Sequence, residues 1–171
     1  AAGHVDLLII LGGNPVYTAP VDVPFEQALA RVQTRVHLSL LADETSERCH
    51  WQIPQAHFLE AWSDARAFDG TASIVQPLIA PLYGGHSAHE VLAAMSDRPE
   101  RPARDIIRDY WIDHPISATV SRNEQGAVTP EFERMWQKWL HDGVMPLSAP
   151  SARAVSVNVQ RVAQAAAVSA D

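Results

Sequence analysis

Two short stretches hold the residue types that could grip a ligand. The first is residues 9–15, IILGGNP, an apolar run that stops at two glycines, an asparagine and a proline. Gly12 and Gly13 let a ligand approach the backbone closely. The Asn14 amide both donates and accepts, so it can read a phosphate, a ribose or a base edge. Pro15 then fixes the direction in which the chain leaves. The second stretch is residues 41–47, LADETSE. Asp43 suits a helix N-cap, and Glu44 suits the first turn beside the positive end of the helix dipole. Thr45 adds a hydroxyl next to free backbone N–H groups. Gly12, Gly13, Asn14, Pro15, Asp43, Glu44 and Thr45 are therefore the candidate binding residues. Taken singly, each stretch reads more simply as a ligand-free turn and a capped helix.

Other chemistry is weakly represented. The dinucleotide fingerprint, the Walker loop and the Gly-x-Ser-x-Gly elbow are absent. His50 and His57 near Cys49, and His86 near His89, fall short of tetrahedral zinc spacing. Glu60, Asp64 and Asp69 are acids in a loop, where solvation is the commoner role. No catalytic residue and no metal ligand is assigned. The single cysteine, Cys49, excludes an internal disulfide or an iron–sulfur cluster built from this chain alone, and it suits a small buried position.

The bulk numbers narrow the partners. A formal net charge of −7 argues against a nucleic-acid backbone and against an anionic membrane surface. No apolar run reaches the roughly 18–20 residues of a membrane helix. No signal-peptide pattern is read in the opening residues, which says nothing about the compartment of a longer parent. The chain opens on Ala-Ala-Gly-His without an initiator Met, as expected of a piece of a longer protein. With 47% hydrophobic residues it can build a packed core.

The two loops need a frame. Val5–Leu11 reads as a strand buried on both faces. Pro24 starts a short helix with Phe25, Ala28, Leu29 and Val32 on one side, and Arg35–Leu41 is a second strand. Strand, helix, strand implies a parallel crossover. Both candidate loops then leave the carboxyl edge of one sheet, where open α/β sheets bind ligands. Trp51–Ile53 is a brief apolar segment, residues 55–71 a long loop, and Ala72–Val75 a third main strand. Ser87–Glu90 forms a capping box. Helices follow at 105–113 and from Thr129-Pro130-Glu131 to Gly143, the latter with a Phe132, Met135, Trp136, Trp139, Leu140 core stripe. The expected fold is a three-layer α/β domain with a mostly parallel, Rossmann-like sheet over residues 1–96. A helical extension covers 97–150. An Ala/Ser/Val-rich tail covers 151–171, with a possible edge strand at Ala154–Val159.

In order along the chain, LLIILGGNP, DETSERCHWQIP and LEAWSDARAFDGTASIVQPLIAPLYGG resemble the molybdopterin oxidoreductases over about residues 5–96. Their third domain carries a Gly-x-Asn-Pro turn, a Glu-Thr-x-x-x-x-Asp-x-x-x-Pro segment and a Glu…Gly-Thr…Gln stretch. GNPVYTAP, CHWQIPQAHFLEAWSDARAFDGT and QPLIAPLYGG resemble in particular the large iron–sulfur subunit of alternative complex III, a bacterial membrane complex that oxidises quinol.

The resemblance implies a fragment of a respiratory electron-transfer subunit on the periplasmic face of the membrane. It would contact the rest of its own chain and other subunits, without inserting into the membrane. Iron–sulfur clusters are expected elsewhere in the parent. Two departures bear on the cofactor. Ser39 stands at the position of the acid that reads the guanine in the enzymes, and His50 replaces the family's Asp. A Ser cannot pair with a guanine N–H edge as a carboxylate does. The expected role is therefore a structural, cofactor-less domain, with Trp51 and Trp62 filling the crevice. The alternative is the nucleotide-end binding domain of an active molybdenum–pterin guanine dinucleotide (molybdopterin guanine dinucleotide) enzyme. An independent nucleotide-binding domain is a third possibility.

Overall fold

The computed structural model describes residues 3–114, 116 and 121–166. The fold is α/β, built on two sheets and several helices. Strand β1 (Leu7–Leu11) pairs in parallel with β2 (Thr34–Ser39), Leu7 level with Thr34 and Leu11 with Leu38. Between them lie α1 (Pro15–Thr18) and α2 (Phe25–Leu29), and Leu29 is buried beneath the crossover. Chain then passes through α3 (Glu44–Glu47) into β3 (Trp51–Pro54), which pairs in parallel with the far side of β2. The sheet order is β1-β2-β3, so β2 is central. Its last three residues, His37, Leu38 and Ser39, are all buried.

Beyond β3 the sheet edge continues as a single parallel bridge from Gln55 to His86. His86 leads into α4 (Ala88–Ala93), capped by the expected box: the Ser87 hydroxyl accepts from Glu90 N, and the Glu90 carboxylate accepts from Ser87 N.

The second sheet is antiparallel, in the order β4 (Ser63–Arg66), β5 (Ala72–Val75), β6 (Val144–Met145). The Ala72–Val75 strand belongs here and not beside the parallel strands. It buries only one face, through Ala72 and Ile74, as a strand of a one-sided antiparallel sheet does. Its partner β4 lies within the stretch read as a loop. The Asp69-Gly70 turn that joins them is a hairpin signal.

Helices α5 (Ala103–Asp113) and α6 (Pro130–Asp142) cover the buried face of this sheet. Ile107, Trp111 and Ile112 of α5 meet Phe132, Trp136 and Trp139 of α6 over Ala72, Ile74 and Met145. The α6 residues recur at i, i+4 and i+7, the spacing of a buried helical stripe. Thr129 caps α6 through Phe132 N, and Gly143 ends it in the left-handed conformation.

The tail departs from expectation. Residues 151–158 have no regular structure, and Val159–Ala166 form an exposed helix, α7, in place of an edge strand at Ala154–Val159. The Asn158 side chain accepts from Arg161 N and starts this helix. The Ala and Gln that follow are good helix formers, which favours the helix. Residues 167–171 of the tail lie outside the described residues.

Candidate functional site

All the sequence-predicted binding residues meet at the carboxyl edge of β1 and β2. The turn after β1 is made by two successive glycines in the left-handed region, Gly12 at φ +72° and Gly13 at φ +71°. L side chains disfavour that region, which accounts for the glycine pair. Gly12 N donates to Leu38 O at 2.8 Å and holds the turn against β2. Asn14 then starts α1, with Pro15 as its first residue, and Asn14 O accepts from Tyr17 N and Thr18 N.

The Asn14 side chain does not cap its own helix. Its Nδ2 donates to Glu44 Oε2 at 2.6 Å, and its Oδ1 accepts from Thr45 Oγ1 at 2.7 Å. Thr45 is wholly buried, and its hydroxyl also accepts from Val16 N at 3.0 Å. The first loop is thus fastened to the second by a closed set of hydrogen bonds. Both ends of the Asn14 amide are occupied by the protein itself.

Beneath this tie lies a residue the sequence reading overlooked. His37 points up from β2, fully buried, with Nε2 2.9 Å from Gly13 O and Nδ1 2.9 Å from Ser46 Oγ. A carbonyl can only accept, so Nε2 donates to Gly13 O. Asp43 Oδ1 lies 3.4 Å from the same Nδ1 and accepts from Ser46 N at 2.8 Å. Ser39 donates its hydroxyl to Leu41 O and lies 3.2 Å from Ser46 Oγ. The only advance signal for His37 was an imidazole set inside an otherwise apolar strand segment.

The charges here are negative. Burial pushes the Asp43 carboxyl upward, but hydrogen bonds from the Ser46 N–H and hydroxyl, with His37 close by, outweigh it and hold Asp43 below the usual carboxylate range. Donation from the Asn14 amide holds Glu44 below its usual range as well. Two carboxylates therefore face the turn in ionised form.

The remaining candidates take structural roles. Both ring nitrogens of His50 are engaged by Arg35, and no group of three His, Cys, Asp or Glu side chains among the described residues could hold a metal. Asp64 accepts from Trp111 Nε1 at 2.9 Å, Asp69 closes its hairpin through Thr71 N, and Glu60 accepts from His57 N. Cys49 is half-buried, and burial pushes its thiol up. Trp51 and Trp62 do not fill the crevice. Trp51 is 68% exposed at the start of β3, whereas Trp62 packs on the second core beneath Arg104. Small polar side chains fill the space between the loops instead.

Fold and site together define an α/β domain whose two ligand-edge loops are locked to each other. No protein-family model matches the chain. Over 95 aligned residues, 53% of this chain, the sequence is 30% identical to the menaquinone reductase, molybdopterin-binding-like subunit, of Nitratidesulfovibrio vulgaris. The chain spans 14% of the length of that relative. The similarity supports a molybdopterin-oxidoreductase-like relationship.

Proposed function

We propose that this chain is a cofactor-less structural domain within a molybdopterin-oxidoreductase-like subunit of a quinol-oxidising respiratory complex. The likeness to a menaquinone reductase subunit supports the quinone-linked part of this reading. The motif order GNPVYTAP, CHWQIP and QPLIAPLYGG supports a complex of the alternative complex III type. In such an assembly the domain stands on the periplasmic face, among the remainder of its own polypeptide and neighbouring subunits. Iron–sulfur clusters elsewhere carry the electrons.

The observation that carries the cofactor-less part is the occupied amide of Asn14. Glu44 takes one N–H of this amide and Thr45 one lone pair of its oxygen, so the side chain is turned toward the second loop and away from a ligand-reading role. Two ionised carboxylates beside the turn oppose a phosphate by like charge, and the Ser39 hydroxyl is already given to Leu41 O. These residues do not fit the guanine-nucleotide end of a molybdopterin cofactor. Their work is to hold two loops in fixed relation at the sheet edge.

One observation favours the second reading, a nucleotide-end domain of an active molybdopterin guanine dinucleotide enzyme. Gly13 has open space where a side chain would stand, so its backbone is accessible. Metal and pterin analysis of the full-length native protein separates the two. The expected result is molybdenum and pterin far below one per protein. Stoichiometric molybdenum would overturn the structural reading.

A further inference from the structure

Histidine is the side chain whose charge ordinarily changes between about pH 5 and pH 8, and one stands buried beneath the tie between the two loops. The Nε2 of His37 is committed to Gly13 O, so a second proton can enter the ring only at Nδ1. Two oxygens face that atom, the Ser46 hydroxyl at 2.9 Å and Asp43 Oδ1 at 3.4 Å. The hydroxyl can donate or accept, whereas a carboxylate can only accept. Burial works against the Asp43 anion, but hydrogen bonds from Ser46 keep it ionised. The Ser46 hydroxyl has a second acceptor within reach, Leu41 O at 3.5 Å.

We propose that His37 is a proton-driven switch inside the tie. With a neutral ring, the Ser46 hydroxyl donates to Nδ1. When Nδ1 takes a proton from water, its N–H turns to the Asp43 carboxylate, and the Ser46 hydroxyl gives its own hydrogen to Leu41 O. Gly13 O keeps its donor in both states. The two loops therefore stay fastened in either charge state, and only the partner that holds the ring changes.

The charges around the ring suit this exchange. A buried imidazolium without a counter-charge would be driven out, and Asp43 of α3 supplies one. Its neighbour Glu44 is turned to Asn14. Ile10 of β1 and Gln52 of β3 stand level with His37, and both are uncharged. Arg35 lies two residues back on the same face of β2 and is a fixed cation. Its guanidinium is spent on the Leu29, Ala30 and Val32 carbonyls and on His50. Burial pushes the Cys49 thiol up, so it stays neutral beside Arg35 and Asp43. The switch depends on the loop geometry alone and not on the subunit the domain serves.

Amide hydrogen exchange of the full-length native protein at about pH 8 and about pH 5, corrected for the intrinsic pH dependence of exchange, tests this. Gly12 and Val16 report on the tie, because their N–H groups bond across it to Leu38 O and Thr45 Oγ1. In the wild type both amides should stay protected at both pH values. Ser46→Ala should lose about tenfold of that protection at the higher pH, where the ring needs a donor, and little at the lower. Asp43→Asn should lose about tenfold at the lower pH and little at the higher, because Asn still caps α3. Each variant is read against itself at the two pH values, so a general loss of stability does not mimic the result. Wild-type loops that lose protection at the lower pH would overturn the switch, since the charged ring would then be expelled. Equal losses at the two pH values in either variant would also overturn it, leaving Asp43 and Ser46 a capping role alone.

Discussion

His37 is the residue on which the site turns. Its ring joins the glycine turn, through Gly13 O, to the N-terminus of α3, through Ser46 and Asp43. Replacing it with an apolar ring of similar size would leave Gly13 O and the Ser46 hydroxyl without this partner in a buried place. His37→Phe should therefore cost about 2–3 kcal/mol, measured by denaturant titration of the native protein. A change below about 0.5 kcal/mol would mean the ring merely fills space. Its role was hidden in the sequence because a histidine in a strand shows its period-two face but not what stands above it. Asn14 was legible as a polar residue at a deliberate turn. Its partners were not, because Glu44 and Thr45 lie about thirty positions further on.

Among the elements, those announced by local chemistry agree with the sequence. Asp43 caps α3, the Ser87–Glu90 box starts α4, and Thr129-Pro130 starts α6. Caps and turns are decided within a few residues, so a short window suffices. The membership of Ala72–Val75 depended on which distant segment offered a free edge, and four residues of sequence carry no record of that. Trp51 misled for a related reason: its exposure depends on what covers the far end of β3. The α3 cap leads to a prediction in acid. Asp43 titrates below its ordinary value of 3.8 in the folded protein, so between the two values the unfolded state binds more protons. Its contribution is complete above about pH 5 and is lost as pH falls below about 4. Stability measured from pH 6 to 3 should drop at the acid end, and Asp43→Asn should flatten that drop. An unchanged slope in the variant would remove Asp43 as the cause.

For the whole molecule, the largest apolar cluster belongs to the antiparallel sheet with α5 and α6, and the candidate site lies on the other sheet. Trp136 is central to that cluster, fully buried and stacked near Phe132. Trp136→Ala should cost about 3–5 kcal/mol, a large share of the stability of an ordinary domain, and lower the melting temperature by many degrees. Retention of the wild-type melting temperature would mean the cluster is not what holds this half together. The amphipathic spacing of α6 made the stripe readable in advance. The sheet beneath it was not, because Met145 joins that sheet from more than seventy residues beyond Ala72.

The tie between Asn14 and Thr45 also bears on the order of events in folding. It closes a segment of 31 residues and has a geometry only when β1 and β2 are already side by side. Such a long-range contact is expected to form after the main folding barrier, which a φ-value near zero for Asn14→Ala would check. It adds to the height the native state must climb to open and does little to hasten its formation. The polar contacts between the two loops would thus act as a brake on unfolding, keeping the sheet edge closed for longer than its small apolar content alone would allow.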